Sequence, residues 1–199
     1  RACAKTLYKQ QLERKNNILQ QQFHVSRPNE VWVSDVTYFS VFNRMYYICV
    51  IIDLYARKVI AYKISKHNST QLTKATVKSA YETRMPIGEL LFHSDQGCSY
   101  TSNQFRKYLK SINIKQSFSN PGMPYDNSVM ESFFGSFKRE ALYRYHFKTE
   151  KDFFRGVDTY MAFYNERRPH SVLMNQTPSK FEANYYSIYK RNPDFQTEQ

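Results

Sequence analysis

The fold of this chain is decided by the stretch LLFHSDQG at residues 90–97. Its first residues form a short apolar run, and the Gln96-Gly97 pair after Asp95 favours a turn of the backbone. The pattern predicts a buried strand that delivers the carboxylate of Asp95 to its C-terminal end. Because an isolated Ser-Asp-Gln-Gly is more often an ordinary turn than a ligand site, the interpretation depends on the other acids of the chain.

Two further carboxylates have comparable apolar surroundings. Asp35 lies within VWVSDVTY at residues 31–38, a run with the residue types of a β-strand. Glu131 lies within YDNSVMESFF at residues 125–134, which opens an amphipathic helix. Three acids on separate elements are typical of the ligand set of a two-metal phosphoryl-transfer site, because divalent cations take oxygen ligands and offset the cost of buried negative charge.

Each acid also has a purely structural alternative. Asp35 can be a mid-strand charge that discourages edge-to-edge aggregation. Glu131 follows Ser128 by three residues, which is the pattern of a capping box at a helix N-terminus. A carboxylate in the first helical turn is favoured by the helix dipole in either role, so the two interpretations do not exclude each other.

Composition limits the class of protein. The 199 residues allow one ordinary domain, and no apolar run approaches the roughly 18 residues of a membrane helix. Twenty-nine Lys and Arg against 17 Asp and Glu give a net charge of +12, which favours a polyanionic partner. The three cysteines are widely spaced, so a disulfide framework or a cysteine-based zinc site is not expected, and a reducing cytoplasm fits. There is no secretory signal, and because the first residue is Arg1 we expect a fragment or a processed product.

Local patterns predict an α/β domain. Three β-rich runs with short connections predict an antiparallel meander, and strands then alternate with helices. The strands are expected at residues 31–42, 45–53, 58–64, 90–95 and 114–118. Helices are expected at residues 69–82, 102–111, 128–145, 149–165 and 178–186. Asp53, at the end of a strand, is expected to be structural.

The spacing of the acids favours the functional interpretation. Thirty-five residues separate Asp95 from Glu131, and Asp35 lies well upstream. This spacing is shared by retroviral integrases and many transposases, and the chain closely resembles the catalytic protein of the insertion-sequence transposases of the OrfB or IS-three group. The resemblance covers about residues 29–181. It is carried by the sequence motifs WVSDVTY (32–38), HSDQG (93–97), YDN with ESFF (125–134) and YNERRPHS (164–171). The word after Gly97 departs from the family's usual pattern, which puts some substrate contacts in doubt.

The resemblance implies a fold and an activity. The fold is a ribonuclease H-like mixed sheet flanked by helices, with a DDE catalytic core at 29–172, a polar N-terminal arm or linker at 1–28 and a C-terminal extension with a short helix at 173–199. Nothing in 1–28 can supply the family's usual helix-turn-helix region, so we expect an isolated catalytic core. The activity is that of a DDE-type transposase, a polynucleotidyl transferase that cleaves transposon ends and joins their 3′-OH groups to target DNA. The expected partners are transposon-end and target DNA and further copies of the chain on DNA, with no membrane and no small-molecule substrate.

The resemblance also implies roles for individual residues. Two Mg²⁺ or Mn²⁺ ions are expected, with Asp35 bridging both and Asp95 and Glu131 each completing one side. Lys138 lies nearly two helical turns after Glu131 on the same side. For this lysine the resemblance favours a phosphate contact over a solvated side chain that pairs weakly with Glu131. Further DNA contacts are expected from Arg139, Arg144, Arg168 and His170, and supporting roles from His93 and Asn127.

Two other functions remain open from the sequence. A ribonuclease H-like nuclease would use water as its only nucleophile and would form no joined product. A DNA-binding remnant would need no acids, and the three acids at this spacing argue against it.

Overall fold

The computed structural model describes residues 16–191, whose strands form one five-stranded sheet with helices on both faces. The strands are β1 Val31–Val41, β2 Arg44–Asp53, β3 Lys58–Ser65, β4 Leu90–Ser94 and β5 Ile114–Phe118. The helices are α1 Thr70–Arg84, α2 Cys98–Thr101, α3 Asn103–Ser111, α4 Ser128–Phe137, α5 Glu150–Glu166 and α6 Pro178–Arg191. No helix in this part of the chain is long and apolar enough to cross a membrane.

The sheet combines an antiparallel meander with two parallel strands. Its order is β3-β2-β1-β4-β5; β1, β2 and β3 pair antiparallel, and β4 pairs parallel with both β1 and β5. Phe42 and Asn43 form the β1–β2 connection with positive φ angles of 52° and 56°, as a tight hairpin turn requires. This is the mixed sheet that the sequence predicts, and it places β1 beside β4 in the centre.

Side-chain alternation along the strands divides the hydrophobic core between the two faces of the sheet. On one face α4 and α5 pack against β1, β2 and β3 through Val33, Ile48, Val50, Ile52, Met130, Phe133, Phe137, Phe153 and Tyr160. On the other face α1, α2 and α3 pack through Trp32, Ile51, Phe92, Val77, Ala80, Tyr100, Phe105 and Leu109. Burial of each large apolar side chain contributes about 1.5–3 kcal/mol, so these two layers hold the sheet rigid.

The helix that begins at Ser128 differs from the prediction of one helix to about residue 145. Its α-helical part ends at Phe137, and Lys138–Leu142 form a π-helical turn in which the amide of Tyr143 donates to the carbonyl of Lys138 at 2.9 Å. The chain leaves this turn with Tyr143 and Arg144 exposed. Two features were not predicted: the short helix α2, and the 3₁₀ turn Pro124–Asn127 that leads into α4.

The described part of the expected N-terminal arm packs against the core. Leu19 is buried in the α4–α5 cluster, and the amides of Ile18 and Leu19 donate to the hydroxyl of Ser117 on β5 at 2.9 and 3.1 Å. The amide of Phe118 donates to the carbonyl of Asn16 at 3.0 Å. Residues 16–19 are therefore fixed to the sheet edge, while residues 1–15, with Cys3, lie outside the described residues and the domain boundary at residue 28 stays a prediction.

The expected C-terminal extension is joined to the core by a buried ionic cluster. Glu182 on α6 accepts from Lys58 Nζ at 2.7 Å and pairs with the Arg84 guanidinium. Arg84 also contacts Asp53 at 3.3 Å, and Asp53, fully buried, accepts from the amides of Asn29 and Tyr55 at 2.7 and 3.0 Å. Burial raises the pKa of Asp53 to about 6. These contacts give Asp53 the structural role expected from the sequence; residues 192–199 lie outside the described residues.

Candidate active site

The pairing of β1 with β4 places Asp35 and Asp95 next to each other. The last aligned pair of these parallel strands is Ser34 with Ser94, and an aspartate follows on each strand. Neighbouring strands lie about 4.8 Å apart, so the two aspartates occupy adjacent positions. Alternation from Val33 puts Asp35 on the face of the sheet that α4 covers. The sheet therefore brings together two acids that are 60 residues apart in the sequence.

Glu131 lies in the first turn of α4, beside this aspartate pair. Ser128 already has helical angles (φ −55°, ψ −29°), and the residue before it, Asn127, makes no side-chain cap hydrogen bond. The capping-box alternative is thus wrong. Glu131 is exposed, and its negative charge raises the pKa of Asp35. The carboxylate of Glu131 is thus close enough to Asp35 to disfavour its ionisation.

The electrostatics of Asp35 show that four charged groups converge on one place. Burial and, after it, the negative charges of Asp95 and Glu131 together raise the pKa of Asp35 to about 7. The amide of Val36, which donates to Asp35 Oδ1 at 2.7 Å, and the positive charge of Lys138 act in the opposite direction. Without a cation, the folded protein therefore holds Asp35 in a position where ionisation is unfavourable.

Asp95 belongs to both the turn and the acidic pair. Its Oδ1 accepts from the amide of Gly97 at 3.0 Å, and Gln96 Nε2 donates to the carbonyl of Ser119 at 3.0 Å. A Cβ atom at Gly97 would lie 3.0 Å from Asp95 Oδ1, so a larger residue would displace the carboxylate. The ordinary-turn interpretation is correct for the backbone here, and the same turn fixes the acid at the end of β4.

Whether Asp35, Asp95 and Glu131 can bind a metal ion depends on the chemistry of their donor atoms and on how the three side chains are arranged. The donor set offers only carboxylate oxygens, the ligands that Mg²⁺ and Mn²⁺ take, and a cation would offset the repulsion that raises the pKa of Asp35. Within residues 16–191, however, no three His, Cys, Asp or Glu side chains are arranged to hold a metal ion. The side chains fit the ion in chemistry, and their joint coordination of it stays a prediction.

His93 connects the end of β4 to the turn before α4. The buried ring lies 2.9 Å from Ser117 Oγ through Nδ1 and 2.9 Å from the carbonyl oxygen of Asp126 through Nε2. Burial lowers the pKa of His93 to about 4, so the ring is neutral at neutral pH. His93 therefore contacts the backbone that precedes Glu131, and its supporting role in the site stays a prediction.

Sequence reasoning missed Asp126, which organises the 3₁₀ turn before α4. Its buried carboxylate accepts from Asn17 Nδ2 at 2.8 Å, Gln21 Nε2 at 2.7 Å and the amide of Asn120 at 2.8 Å. The adjacent Asn127 is buried with its Oδ1 unpaired among the described residues. The available signal was an acid in the word YDN, directly before the helix that carries Glu131.

Lys138 faces the acidic side of its helix, as expected. Its Nζ lies 5.4 Å from the centre of the Tyr38 ring, and its charge lowers the pKa of Asp35. The alternative pairing with Glu131 is not formed in the described structure, where Lys138 makes no salt bridge. Tyr38, 59% exposed, is a second residue that sequence reasoning missed, although it lies in the quoted word around Asp35.

The remaining expected DNA contacts separate into two groups. Arg139 and Arg144 are exposed on the π-helical turn and just beyond it, so both are accessible to DNA. Arg168 instead binds Glu140 through Nε and Nη2 at 2.9–3.2 Å, and the ring of His170 packs edge-on against Tyr164 with centroids 4.6 Å apart.

Arg168 and His170 therefore have partners within the fold. Burial, together with the charge of Arg168, lowers the pKa of His170 to about 4, so it adds no positive charge at neutral pH. Any DNA contact by either residue stays a prediction; Arg168 joins the end of α5 to Ser136 and Glu140, and His170 packs on α5 through Tyr164.

Comparison with known proteins agrees with this geometry. An integrase core domain model matches residues 25–124, and a second integrase core domain model matches residues 112–178. The chain belongs to the integrase core domain family. It is 36% identical over 170 residues to the putative transposase InsK for insertion sequence element IS150 of Escherichia coli K12, covering 85% of this chain and 60% of that protein.

A second curated relative is the transposase for insertion sequence element IS904 of Lactococcus lactis, 34% identical over 170 residues, 83% of this chain and 66% of that protein. The transposase InsF for insertion sequence IS3A of E. coli is 34% identical over 167 residues, 83% of this chain and 58% of that protein. The resemblance to insertion-sequence transposases is thus confirmed. The chain spans about three fifths of the length of these curated relatives.

Solved structures confirm the fold. A chain of the simian T-cell lymphotropic virus intasome superposes with a TM-score of 0.68 at 21% identity, covering 85% of this chain and 61% of that one. The integrase catalytic core domain of HTLV-2, solved in complex with magnesium, superposes with a TM-score of 0.64 at 19% identity, covering 78% of this chain and 97% of that one. The expected ribonuclease H-like mixed sheet is therefore correct.

Proposed function

We propose that this chain is the catalytic core of a DDE-type DNA transposase, which cleaves phosphodiesters at transposon ends and joins their 3′-OH groups to target DNA. The observation that carries the proposal is the β1–β4 register, which places Asp35 beside Asp95 on the face where the charge of Glu131 acts. Membership of the integrase core domain family and the transposase relatives support the same reaction.

The three acids would hold the divalent ions that this reaction needs. Bound Mg²⁺ or Mn²⁺ supplies the positive charge that activates the attacking oxygen and stabilises the leaving oxygen. Asp35, Asp95 and Glu131 provide the oxygen ligands, and the HTLV-2 core solved with magnesium supports this choice of ion. His93 and Asp126 hold the backbone turn before α4 and so orient Glu131.

The chain's cations would hold the DNA. Lys138 is steadied by the Tyr38 ring on the acidic side of its helix, where it can contact a phosphate near the reacting bond as a point charge. Arg139 and Arg144 extend this exposed positive surface. The net charge of +12 favours DNA in general, and the intasome neighbour supports assembly of several copies on DNA. The bacterial transposase relatives support action in the bacterial cytoplasm.

A strand-transfer assay tests the proposal. The full chain is incubated with Mg²⁺, a pre-cut transposon end and target DNA, and joined product is expected from the parent protein only when the ion is present. Asp35→Asn should form none. Asp152→Asn is the matched control, because Asp152 is an acid that pairs with Arg155 on the surface, away from the site.

Two results would contradict the proposal. Cleaved DNA without joined product would favour the plain nuclease. Joined product that is equally abundant from the parent and from Asp35→Asn would remove these acids from the reaction.

A further inference from the structure

A second cationic surface lies in a groove between α3 and the edge strand β5. The groove has a volume of about 560 Å³. Four of its lining residues are cations, and Glu89 is its single lining acid; the cations are Arg106, Lys107, Lys110 and Lys115. Its floor is apolar and buried, formed by Leu90, Leu109, Ile114 and Phe118. The groove is much larger than a single small anion, so it has room for part of an extended anionic chain.

The four cations have no anionic partner in the described part of the chain. Structural cations elsewhere in the fold are paired: Arg84 with Asp53 and Glu182, and Arg168 with Glu140. The four groove cations make no salt bridge within residues 16–191. Because like charges around one groove repel each other, an anion bound there would relieve that repulsion.

The position of the groove relates it to the acidic site. Ile114 at the start of β5 pairs with Leu90, which precedes Asp95 by five residues along β4. At about 3.3 Å per residue this offset along the strand is about 16 Å. The groove floor packs on the α3 face of the sheet and Asp35 lies on the α4 face, so the full separation is larger than this offset. The phosphates of one DNA strand advance about 3.4 Å per base pair along the helix axis, so the groove lies at least about five base pairs from the acids.

We propose that this groove is a second DNA-binding site, which contacts the phosphate backbone of a duplex at least about five base pairs from the phosphate that reacts at Asp35 and Asp95. The inference rests on the proposed function, which brings duplex DNA to the acids. The charged lining groups are flexible cations, which suit phosphates, and the single aromatic ring, Phe118, is buried and offers no stacking surface for a base. An acidic protein segment is the competing occupant.

The first test compares two variants of the full chain that lose equal charge. The groove variant carries Arg106→Gln, Lys107→Gln, Lys110→Gln and Lys115→Gln. The control variant carries Lys63→Gln, Lys151→Gln, Arg167→Gln and Lys180→Gln, four exposed cations outside the groove. Each is made in the Asp35→Asn background, so that binding is measured without reaction. Equal melting temperatures for the two variants establish that both are folded.

The expected result is a change in the salt dependence of DNA binding. Loss of four phosphate contacts reduces the slope of log affinity against log salt by up to about 3.6, or roughly 150-fold in affinity over a fourfold change of salt. The control variant should change the slope by less than about one. Glu89→Gln should strengthen binding at low salt, because it removes the single acid of the groove. Equal slope changes in the groove and control variants would overturn the proposal.

Duplex length provides the second test. On DNA that extends about ten base pairs on both sides of the reacting phosphate, the groove variant should bind more weakly than the Asp35→Asn parent. On DNA that extends only about two base pairs, the difference should vanish. A difference that persists on the short duplex would overturn the proposed position. Weaker binding of polyglutamate by the groove variant with unchanged DNA binding would identify an acidic protein partner and overturn the DNA site.

These binding results are independent of the proposed reaction. If the strand-transfer assay fails while the groove results are as expected, the groove binds DNA and the proposed function is wrong. If strand transfer succeeds and the groove variant keeps the parental slope, the reaction stands and the second site is wrong.

Discussion

Replacement of Asp35 by asparagine should stabilise the metal-free protein, and the gain should depend on pH. The carboxyl group has an ordinary pKa of 3.8, and burial with the charges of Asp95 and Glu131 raises it to about 7 in the folded protein. Because the folded state then holds its proton more tightly than the unfolded state, stability is full below about pH 4. It falls as the pH rises toward 7 and stays low above that.

The magnitude follows from the size of the shift. A rise of about three pKa units at about 1.4 kcal/mol each sets an upper limit of about 4 kcal/mol on the cost at pH 8. Asparagine has no charge, and its side-chain oxygen can still accept the hydrogen bond from the amide of Val36. Asp35→Asn should therefore raise the free energy of unfolding by one to several kcal/mol at pH 8, up to about this limit, and by almost nothing at pH 4.

Urea denaturation of both proteins at pH 4, 6 and 8 in the presence of a chelator measures this difference. Addition of millimolar Mg²⁺ at pH 8 should then stabilise the parent and leave Asp35→Asn unchanged, because only the parent retains the complete ligand set. A stability difference that is the same at pH 4 and pH 8 would refute the electrostatic reasoning. An Mg²⁺ response of equal size in both proteins would refute the assignment of Asp35 as a ligand.

Three further predictions concern residues around the site and the core. Lys138→Ala should reduce the slope of log affinity for DNA against log salt by about one, and Lys138→Glu should weaken DNA binding more. The control is Lys148→Ala at an exposed lysine, which should have a smaller effect. Equal effects at positions 138 and 148 would mean that Lys138 contributes only to the general positive charge. Arg84→Met should cost about 3–5 kcal/mol in urea denaturation by leaving Asp53 buried without a cation and Glu182 with Lys58 alone, whereas Lys78→Met, which breaks an exposed pair, should cost less than about 1 kcal/mol. Asp126→Ala should cost about 0.5–1.5 kcal/mol for each of its three hydrogen bonds and should speed amide exchange at residues 16–21, and the exposed Asp158→Ala is its control.

The sheet and the aspartate pair follow from local sequence patterns. Alternation in residues 31–38 and the apolar run before Asp95 each specify a strand, and both strands place their acid on a known face. Short connections make β1, β2 and β3 antiparallel neighbours. Once β4 pairs parallel with β1, the two acids must meet, because side-chain direction repeats every two residues.

Other features depend on tertiary contacts that sequence patterns do not encode. The Ser128-x-x-Glu131 pattern favours a cap, yet Ser128 lies within the helix because the 3₁₀ turn held by Asp126 and His93 precedes it. Arg168 lies in the motif YNERRPHS, and the family resemblance implies that it contacts DNA. Glu140, its partner in the structure, comes within reach of Arg168 only after α4 and α5 have packed together. Both differences arise from partners that are distant in sequence and close in space.

The contacts of Asn17 and Gln21 with Asp126 have a mechanical consequence. The chain that enters the domain at residue 16 is tied by these two side chains to the turn from which α4 begins. Residues 16–19 are also held by hydrogen bonds to Ser117 and Phe118 and by the buried Leu19, so a pull on the entering chain would load those contacts together with the two bonds to Asp126, which contribute about 1 kcal/mol each. Rupture of the two bonds would remove part of the support of the turn before α4, whose first helical turn carries Glu131. The attachment of the preceding chain and the position of the third acid are therefore mechanically coupled.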